Sequence, residues 1–305
     1  MKKSKKTLWK QAIKWPLYSV AVIPIFLSAA YNLNENYKIK ILNFFGFTIA
    51  SILILFWENL TNDLFDSQTG VDEFKFHSIL NLVPDRKLLN IIAYISLLIG
   101  LLIISIISLT TNIKVLFLVI GCCALGYLYQ GPPFRLGYIG LGEPLCWIAF
   151  GPLAYSASLM ASFPFDSYLL DIPWRNSFLL GSGPSLATTL VLFCSHFHQI
   201  KEDKKHGKYS PLVILGTKRS AFLIPWIILI IYSIEFFAIY INFLPSICLL
   251  YLISLPYALK LIKLLKISHS NPSFIKNCKF IAIKFQTLNA MGLIIGLLLN
   301  FIWNK

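Results

Sequence analysis

The chain of 305 residues is 57% hydrophobic and only 13% charged, and its mean hydropathy is +0.70. This composition is typical of a protein that crosses a membrane many times, and it excludes a soluble domain with one large core. The formal net charge of +14 is not gathered in a soluble basic domain, so we expect no binding to nucleic acid.

Nine apolar segments predict an all-α, polytopic membrane protein, because each approaches the roughly 20 residues that a spanning helix needs. They cover about residues 15–30, 41–58, 88–109, 113–130, 141–163, 176–195, 222–240, 242–260 and 282–301. No low-complexity linker separates them. We therefore expect one membrane-embedded domain over residues 1–305, with about nine transmembrane helices in a bundle around a central cavity.

The first fourteen residues, MKKSKKTLWKQAIK, are basic and lead directly into the first span without a small-residue cleavage site, so no cleaved signal peptide is expected. With nine spans, the N-terminus and every second loop share one face, and that face carries most of the lysine and arginine residues. The positive-inside rule places it in the cytoplasm or stroma, on an inner or thylakoid membrane. There its cations can contact anionic lipid headgroups.

A first polar cluster, NLTNDLFDSQTGVD at residues 59–72, follows the second span directly. Asn59 and Asp63 are four residues apart, and Asp66 follows three residues later, so the three side chains share one face if the helix continues past Trp57. Helix caps and solvated loops explain one or two such residues but not three on one face. Hard oxygen ligands suit Mg²⁺, whose octahedron is often completed by water and substrate phosphates. The cluster therefore predicts a site for a metal-chelated diphosphate.

The loop YQGPPFRLGYIGLGEP, residues 129–144, is rich in Gly and Pro and predicts an irregular turn. It matches neither of the common phosphate-binding glycine patterns. A turn that lets helices approach closely explains Gly140 and Gly142. Arg135 and Glu143 are the residues of this loop that can contact a polar ligand.

A second polar cluster follows the sixth span at residues 195–220, SHFHQIKEDKKHGKYSPLVILGTKRS. Gln199 and Asp203 are four residues apart, and lysines surround them, so Asp203 is a candidate ligand for a second metal. Lys208 here and Lys75 near the first cluster are candidate contacts for phosphate oxygens. A solvated, positively charged loop is the alternative explanation for such lysines.

His196 and His198 are two residues apart and would point to different sides of a helix, which argues against a zinc pair. Hydrogen bonding to substrate or to Asp203 is the more plausible role. The six cysteines lie in or beside predicted spans without metal-ligand spacing, so we expect them to be buried packing residues: Cys122, Cys123, Cys146, Cys194, Cys248 and Cys278.

In this order, the three segments resemble the motifs of the UbiA-type membrane prenyltransferase superfamily. NDLFDSQTGVD is similar to the pattern NDxxDxxxD, with Asp72 two residues beyond the strict register. The glycine-rich loop resembles the YT-G-P-LGY-GLGE segment of naphthoate prenyltransferases, without the lysine that many relatives carry near Gly137. The third segment departs more, because Gln199 stands where many relatives have an aspartate, while Asp203 is retained.

The resemblance covers nearly the whole chain and implies transfer of a prenyl group from its diphosphate to an aromatic acid within the bilayer. It implies one Mg²⁺ held by Asp63, Asp66 and Asn59, and a second held by Asp203, both bridged by the diphosphate. The expected substrate contacts are Asn59, Lys75, Arg135, His198, Gln199 and Lys208. Among these, Arg135 is the candidate partner of the acceptor carboxylate.

WENLTNDLFD and the second cluster look most like the phytyl-transferring branch of phylloquinone and menaquinone biosynthesis. That branch implies phytyl diphosphate as donor and 1,4-dihydroxy-2-naphthoate or 2-carboxy-1,4-naphthoquinone as acceptor, with loss of CO₂. Alternatives within the superfamily are a homogentisate phytyltransferase and a chlorophyll synthase. A polytopic transporter is the alternative of a different class, although transporters usually place charged residues near the middle of the bilayer.

Overall fold

The computed structural model describes residues 15–70, 79–83, 85–162, 171–275 and 277–305. All regular structure in these ranges is helical, as predicted, and a helix lies at each predicted span. We label them α1 (Ser19–Asn34), α2 (Ile41–Thr69), α3 (Arg86–Thr110), α4 (Lys114–Gln130), α5 (Gly142–Ala161), α6 (Trp174–His196), α7 (Pro211–Tyr240), α8 (Ser246–Ser268) and α9 (Cys278–Trp303). Within the described ranges, seven of these are long and apolar enough to cross a membrane, whereas α1 and α4 are shorter apolar helices.

Helix ends differ from the predicted span ends where the polar clusters lie. Helix α2 continues from its apolar part to Thr69, and Gly70 ends it with a left-handed φ of 81°. Helix α7 begins at Pro211, a residue type suited to the first turn of a helix. Hydropathy locates the part of a helix that lies in lipid and not the helix end. The extension of α2 is what puts the first polar cluster on a helix.

The connections at this end of the bundle contain short helical pieces. Ile79–Leu82 forms one turn before α3, and the side chain of Asp85 caps α3 by accepting from the Leu88 amide at 3.0 Å. A 3₁₀ turn, Leu136–Ile139, lies between α4 and α5. The short helix Ile200–Lys205 lies between α6 and α7. The three motifs therefore sit on helix ends and tight turns, where side chains are held in place.

The interior is divided between apolar clusters of neighbouring helices. One cluster is formed mainly by α2 to α5 and another mainly by α6 to α9. Large apolar side chains such as Leu98, Leu102 and Ile106 on α3 point outward and are exposed. Such an apolar exterior is what a helix bundle presents to lipid, where every backbone group is paired inside its own helix.

Small residues allow close contact between α8 and α9. Gly292 and Gly296 of α9 face the start of α8, and a Cβ atom on Gly296 would lie 2.7 Å from the Cα atom of Cys248. Two glycines four residues apart let backbones approach in this way in membrane helices. All six cysteines are free; four are buried and two half-buried, in line with the predicted packing role.

Candidate active site

Three segments that are distant in sequence meet at one end of the bundle: the end of α2, the turn between α4 and α5, and the segment between α6 and α7. The backbone amide of Tyr209 donates to the carbonyl of Tyr138 at 2.7 Å, which joins the second and third segments. At Gly70, a Cβ atom would lie 3.2 Å from the His206 ring, so the first and third segments are also in contact. The three segments that carry the predicted site residues therefore meet in the folded chain.

The first cluster lies on a continuous helix. Asp63 and Asp66 of α2 are only 2% and 6% exposed, and Asn59 lies one turn earlier on the same face. Asp63 Oδ2 accepts from the backbone amide of Ile79 at 3.4 Å. The Asn59 Nδ2 atom is buried and has no hydrogen-bond partner among the described residues. Buried carboxylates are costly without positive charge or donors nearby, so their surroundings matter.

Three side chains of the described residues contact Asp66: Tyr138, Lys208 and Gln130. The Tyr138 hydroxyl donates to Asp66 Oδ1 at 2.9 Å, and Lys208 Nζ lies 3.6 Å from Asp66 Oδ2. With the Gln130 amide oriented to satisfy both of its atoms, its nitrogen donates to Asp66 Oδ1 at 3.0 Å and its oxygen accepts from Lys208 Nζ at 3.1 Å. Burial, followed by the charge of Asp66, raises the pKa of the Tyr138 phenol, so this hydroxyl remains protonated and can donate.

Lys208 is a buried cation of the site. It is 4% exposed, and its Nζ lies 5.2 Å from the centroid of the Tyr138 ring. A lysine so far from water needs a counter-charge, which Asp66 supplies. The structure therefore places the predicted phosphate contact Lys208 directly beside the predicted metal ligand Asp66.

Asp203 forms the second half of the site. Its side chain is fully buried on the short helix Ile200–Lys205, and His196 Nδ1 lies 3.3 Å from its Oδ2. Its Oδ1 has no hydrogen-bond partner among the described residues. On the other side of the imidazole, His196 Nε2 lies 3.8 Å from Glu143 Oε1. The histidine that contacts Asp203 is thus His196, at the end of α6.

Tyr129 connects the two halves. Its hydroxyl is near enough to Asp66, Asp203 and Glu143 for their charges to act on it, so carboxylates from all three segments lie around this side chain. Its ring packs on two glycines of the turn, since a Cβ atom on Gly137 or Gly142 would lie 2.7 or 2.5 Å from Tyr129 Cε2. The glycines therefore make room for this ring, in agreement with the interpretation of the turn as a place of close approach.

Other predicted site residues lie at the edge. Arg135 donates to Gln68 Oε1 at 3.2 Å, and its guanidinium carbon is 5.8 Å from the Tyr138 ring centroid. His198 is exposed, and Gln199 is half-buried directly before the short helix. Gln199 forms no side-chain hydrogen bond with the described part of the chain. Lys75 and Asp72 lie outside the described residues.

Sequence reasoning did not select Gln130 and Tyr138, which contact Asp66. Tyr138 belongs to the LGY segment of the glycine-rich turn, and this position was a usable signal. Gln130 carried no comparable signal, because one glutamine at a helix end is common on any polar surface. Both contacts depend on the turn between α4 and α5 folding back over the end of α2.

The donor set fits Mg²⁺. Within the described residues, no three or more His, Cys, Asp and Glu side chains are close enough to form a complete metal cluster. The carboxylates of Asp63, Asp66 and Asp203, with the amide of Asn59, offer hard oxygen ligands, and Asp203 Oδ1 has no competing hydrogen bond. Magnesium usually takes one or two carboxylates and completes its shell with water and phosphate oxygens, which such a partial set allows.

The fold and the site define a helical membrane protein with an acidic and basic site suited to a metal-bound diphosphate. The family model described as "UbiA prenyltransferase family" matches residues 21–282, and the chain belongs to this family. It is 40% identical over 294 residues to the 2-carboxy-1,4-naphthoquinone phytyltransferase of Synechocystis sp., covering 95% of this chain and 93% of the relative.

Two further comparisons agree with this family. The chain is 36% identical to the chloroplastic 2-carboxy-1,4-naphthoquinone phytyltransferase of Arabidopsis thaliana, covering 96% of this chain and 77% of the relative. Its fold is similar to a UbiA homolog from Archaeoglobus fulgidus solved with GPP and Mg²⁺, with a TM-score of 0.53 and 14% identity, covering 94% of this chain and 99% of the other. The predicted superfamily is thereby confirmed.

Proposed function

We propose that this protein is a Mg²⁺-dependent membrane prenyltransferase that transfers a phytyl group to 2-carboxy-1,4-naphthoquinone or its reduced form, 1,4-dihydroxy-2-naphthoate, with loss of CO₂. The observation that carries the proposal is the meeting of buried Asp63, Asp66 and Asp203 with buried Lys208 at one end of a membrane bundle. The names of two relatives, at 40% and 36% identity over nearly the whole chain, support the phytyl donor and the naphthoquinone acceptor.

Asp63 and Asp66, with Asn59, would hold one metal ion, and Asp203 a second. When bound, Mg²⁺ supplies Lewis-acid stabilisation of the charge that develops on the departing diphosphate. His196 orients Asp203 through the contact to its Oδ2, which leaves Oδ1 available as a ligand. The presence of Asp66 and Asp203 near the same side chain, Tyr129, supports a role for the diphosphate as a bridge between the two half-sites.

Lys208 and Lys75 would contact phosphate oxygens. Lys208 is the better supported of the two, because its buried ammonium group already lies among the carboxylates. An ammonium group in a site of low polarity stabilises an anion more strongly than one in water. Gln199 and His198 remain predicted polar contacts at the edge of the site.

Cleavage of the donor leaves an allylic cation at the prenyl carbon, and helices that exclude water protect it. The Tyr129 side chain is near enough to the carboxylates to be affected by their charges, and its ring can stabilise this cation. The acceptor carbon that bears the carboxylate forms the new bond to the prenyl cation with an electron pair of the ring. The bond to the carboxylate then breaks, CO₂ leaves, and the electron pair of that bond returns to the ring. Arg135 would bind the acceptor carboxylate before that step.

An inner or thylakoid membrane is the proposed location, with the N-terminus and the active-site end in the cytoplasm or stroma. The positive-inside pattern supports this orientation. A cyanobacterial relative and a chloroplastic one support the thylakoid. Membrane lipid is then the surrounding partner, and the long donor tail lies among the helices.

Membrane vesicles with phytyl diphosphate and 2-carboxy-1,4-naphthoquinone, oxidised or reduced, would test the proposal in Mg²⁺ and in EDTA. Prenylated naphthoquinone that forms only with Mg²⁺ is the expected result. Homogentisate or chlorophyllide as the accepted substrate would retain the reaction class and refute the acceptor. If vesicles that contain folded protein prenylate none of these acceptors, the proposed prenyltransferase activity is refuted.

A further inference from the structure

We infer that Tyr138 is a positioning residue that holds the carboxylate of Asp66 and the ammonium group of Lys208 in a fixed relation. The inference rests on the proposed function, in which Asp66 is a metal ligand and Lys208 a phosphate contact. Tyr138 lies in the 3₁₀ turn between α4 and α5, Asp66 near the end of α2, and Lys208 before α7. One side chain thus contacts groups from both other segments of the site.

The hydroxyl holds the carboxylate. It donates to Asp66 Oδ1 at 2.9 Å and lies 2.6 Å from Thr69 Oγ1. The Thr69 hydroxyl also donates to the backbone carbonyl of Asp66 at 2.9 Å, so its one proton is shared between that carbonyl and the Tyr138 oxygen. A carboxylate fixed by such a donor keeps its second oxygen in a defined direction.

The ring holds the cations. Lys208 Nζ is 5.2 Å and Arg135 Cζ is 5.8 Å from the ring centroid, both within the range of cation–π attraction. Lys208 Nζ is also 3.6 Å from Asp66 Oδ2. Tyr138 therefore acts on Asp66 through its hydroxyl and on Lys208 through its ring, and these two contacts can be removed separately.

The backbone of Tyr138 fixes the same neighbour. Its carbonyl accepts from the amide of Tyr209, the residue after Lys208, at 2.7 Å. Gly140, two residues further on, has a φ of 85°, and a Cβ atom there would lie 3.2 Å from the Tyr209 carbonyl oxygen. The turn thus lies directly against the chain at Lys208, and the Tyr138 ring then sets where the lysine side chain ends.

The test compares two substitutions at Tyr138. Tyr138→Phe removes the hydroxyl and keeps the ring, whereas Tyr138→Leu removes both. Tyr127→Phe is the matched control, because the Tyr127 hydroxyl donates to Pro132 O at 2.8 Å in the same turn but does not bond to a carboxylate. Two quantities are measured on purified full-length protein: Mn²⁺ binding by electron paramagnetic resonance without substrate, and the KM for phytyl diphosphate.

Tyr138→Phe is expected to weaken Mn²⁺ binding about tenfold, as loss of a hydrogen bond to a ligand commonly does, with a change in KM below about threefold. Tyr138→Leu is expected to show the same loss of Mn²⁺ affinity and, in addition, a rise in KM of about tenfold, because the π face that holds Lys208 is lost. Tyr127→Phe is expected to match the wild type in both quantities.

Unchanged Mn²⁺ binding in Tyr138→Phe, or equal KM values for the two Tyr138 variants, would overturn the inference. If Tyr138→Leu does not fold, Tyr138→Met, which keeps a long side chain without a π face, replaces it. Wild-type protein that binds Mn²⁺ without turnover would refute the proposed reaction alone. Wild-type protein that binds no Mn²⁺ would refute the metal site and this inference together.

Discussion

Among the described residues, fully buried carboxyl groups occupy two regions, and their surroundings differ. At the end of the bundle, Asp66 contacts the Tyr138 hydroxyl and the Lys208 ammonium group. Inside α7, Glu235 is equally buried, but its hydrogen-bond partner is the neutral amide of Asn289 on α9, at 2.9 Å. No salt bridge to Glu235 occurs within the described ranges. Burial of an acid is therefore common to both regions, and a neighbouring cation is not.

The neighbours of Glu235 indicate a packing role. A Cβ atom on Gly183 of α6 would lie 2.7 Å from Glu235 Cγ, so α6 and α7 approach closely there. The contact to Asn289 connects α7 to α9. Polar pairs of this kind join helices in membranes. An acid that only joins helices needs one hydrogen-bond partner. An acid that serves a diphosphate site needs neighbouring cations and space in which the ligand can bind.

The largest expected effect is that of Asp63→Ala. Loss of this carboxylate removes a metal ligand, and the metal contributes several kcal/mol to the stabilisation of the transition state, so we expect turnover to fall by about 1000-fold or more. The rate of prenyl transfer in vesicles measures it. The exposed cap residue Asp85, substituted to Ala, is the control for loss of an acid. A near-normal rate in protein that reaches the membrane would refute the metal assignment.

The second effect concerns Asp203 and Gln199. We expect Asp203→Ala to lower kcat/KM by about 100-fold and Gln199→Ala by about tenfold or less, because a carboxylate is a much stronger metal ligand than an amide. Asp203 is also fully buried against His196, whereas Gln199 is half-buried. Steady-state kinetics at several Mg²⁺ concentrations compares them. Equal losses would mean that Gln199 substitutes for the aspartate found in many relatives.

The third effect tests the cation that distinguishes the two regions. Lys208→Met removes the ammonium group beside Asp66 and keeps the length of the side chain. Loss of a charged hydrogen bond costs about 1.5–3 kcal/mol, so we expect the KM for phytyl diphosphate to rise about 10- to 100-fold. Lys204→Met, an exposed residue of the short helix, is the matched control. A similarly small change in KM in both variants would show that Lys208 does not contact the diphosphate.

The smallest effect on activity is expected in the other region. Glu235→Gln retains a polar partner for Asn289, and we expect its rate to match the wild type. Glu235→Leu leaves the buried amide unpaired, which costs about 1–3 kcal/mol and should lower the thermal unfolding midpoint by several degrees. Differential scanning fluorimetry in detergent measures the midpoint. A changed KM for phytyl diphosphate in Glu235→Gln would make Glu235 part of the active site.

The helical class and the common helix face of Asn59, Asp63 and Asp66 could be predicted because they depend on local pattern. Apolar runs identify helices in a membrane, and the spacing of Asn59, Asp63 and Asp66 defines one face once α2 continues to Thr69. Asp203 could be chosen because an acid at the foot of an apolar span is costly there. Each inference needed only residues within a few turns of one another.

The partners of those residues could not be predicted in the same way. Asp66 meets Tyr138 72 residues further along the chain, and the ring of Tyr129 needs the glycines at 137 and 142 to fit. His196 contacts Asp203 because the helix ends at His196 and the chain turns before the short helix. The spacing of residues along the sequence does not predict these turns.

Local sequence pattern is enough to predict that the chain forms membrane helices and that carboxylates and lysines gather at one end of them, because helical periodicity and the cost of charge in lipid act over short stretches of chain. The contact of Lys208 with Asp66, the Tyr138 side chain that joins them and the neutral partner of Glu235 are visible only in the folded bundle. These pairings arise where helix ends and turns that are far apart in sequence pack together. Their geometry is set by the whole bundle.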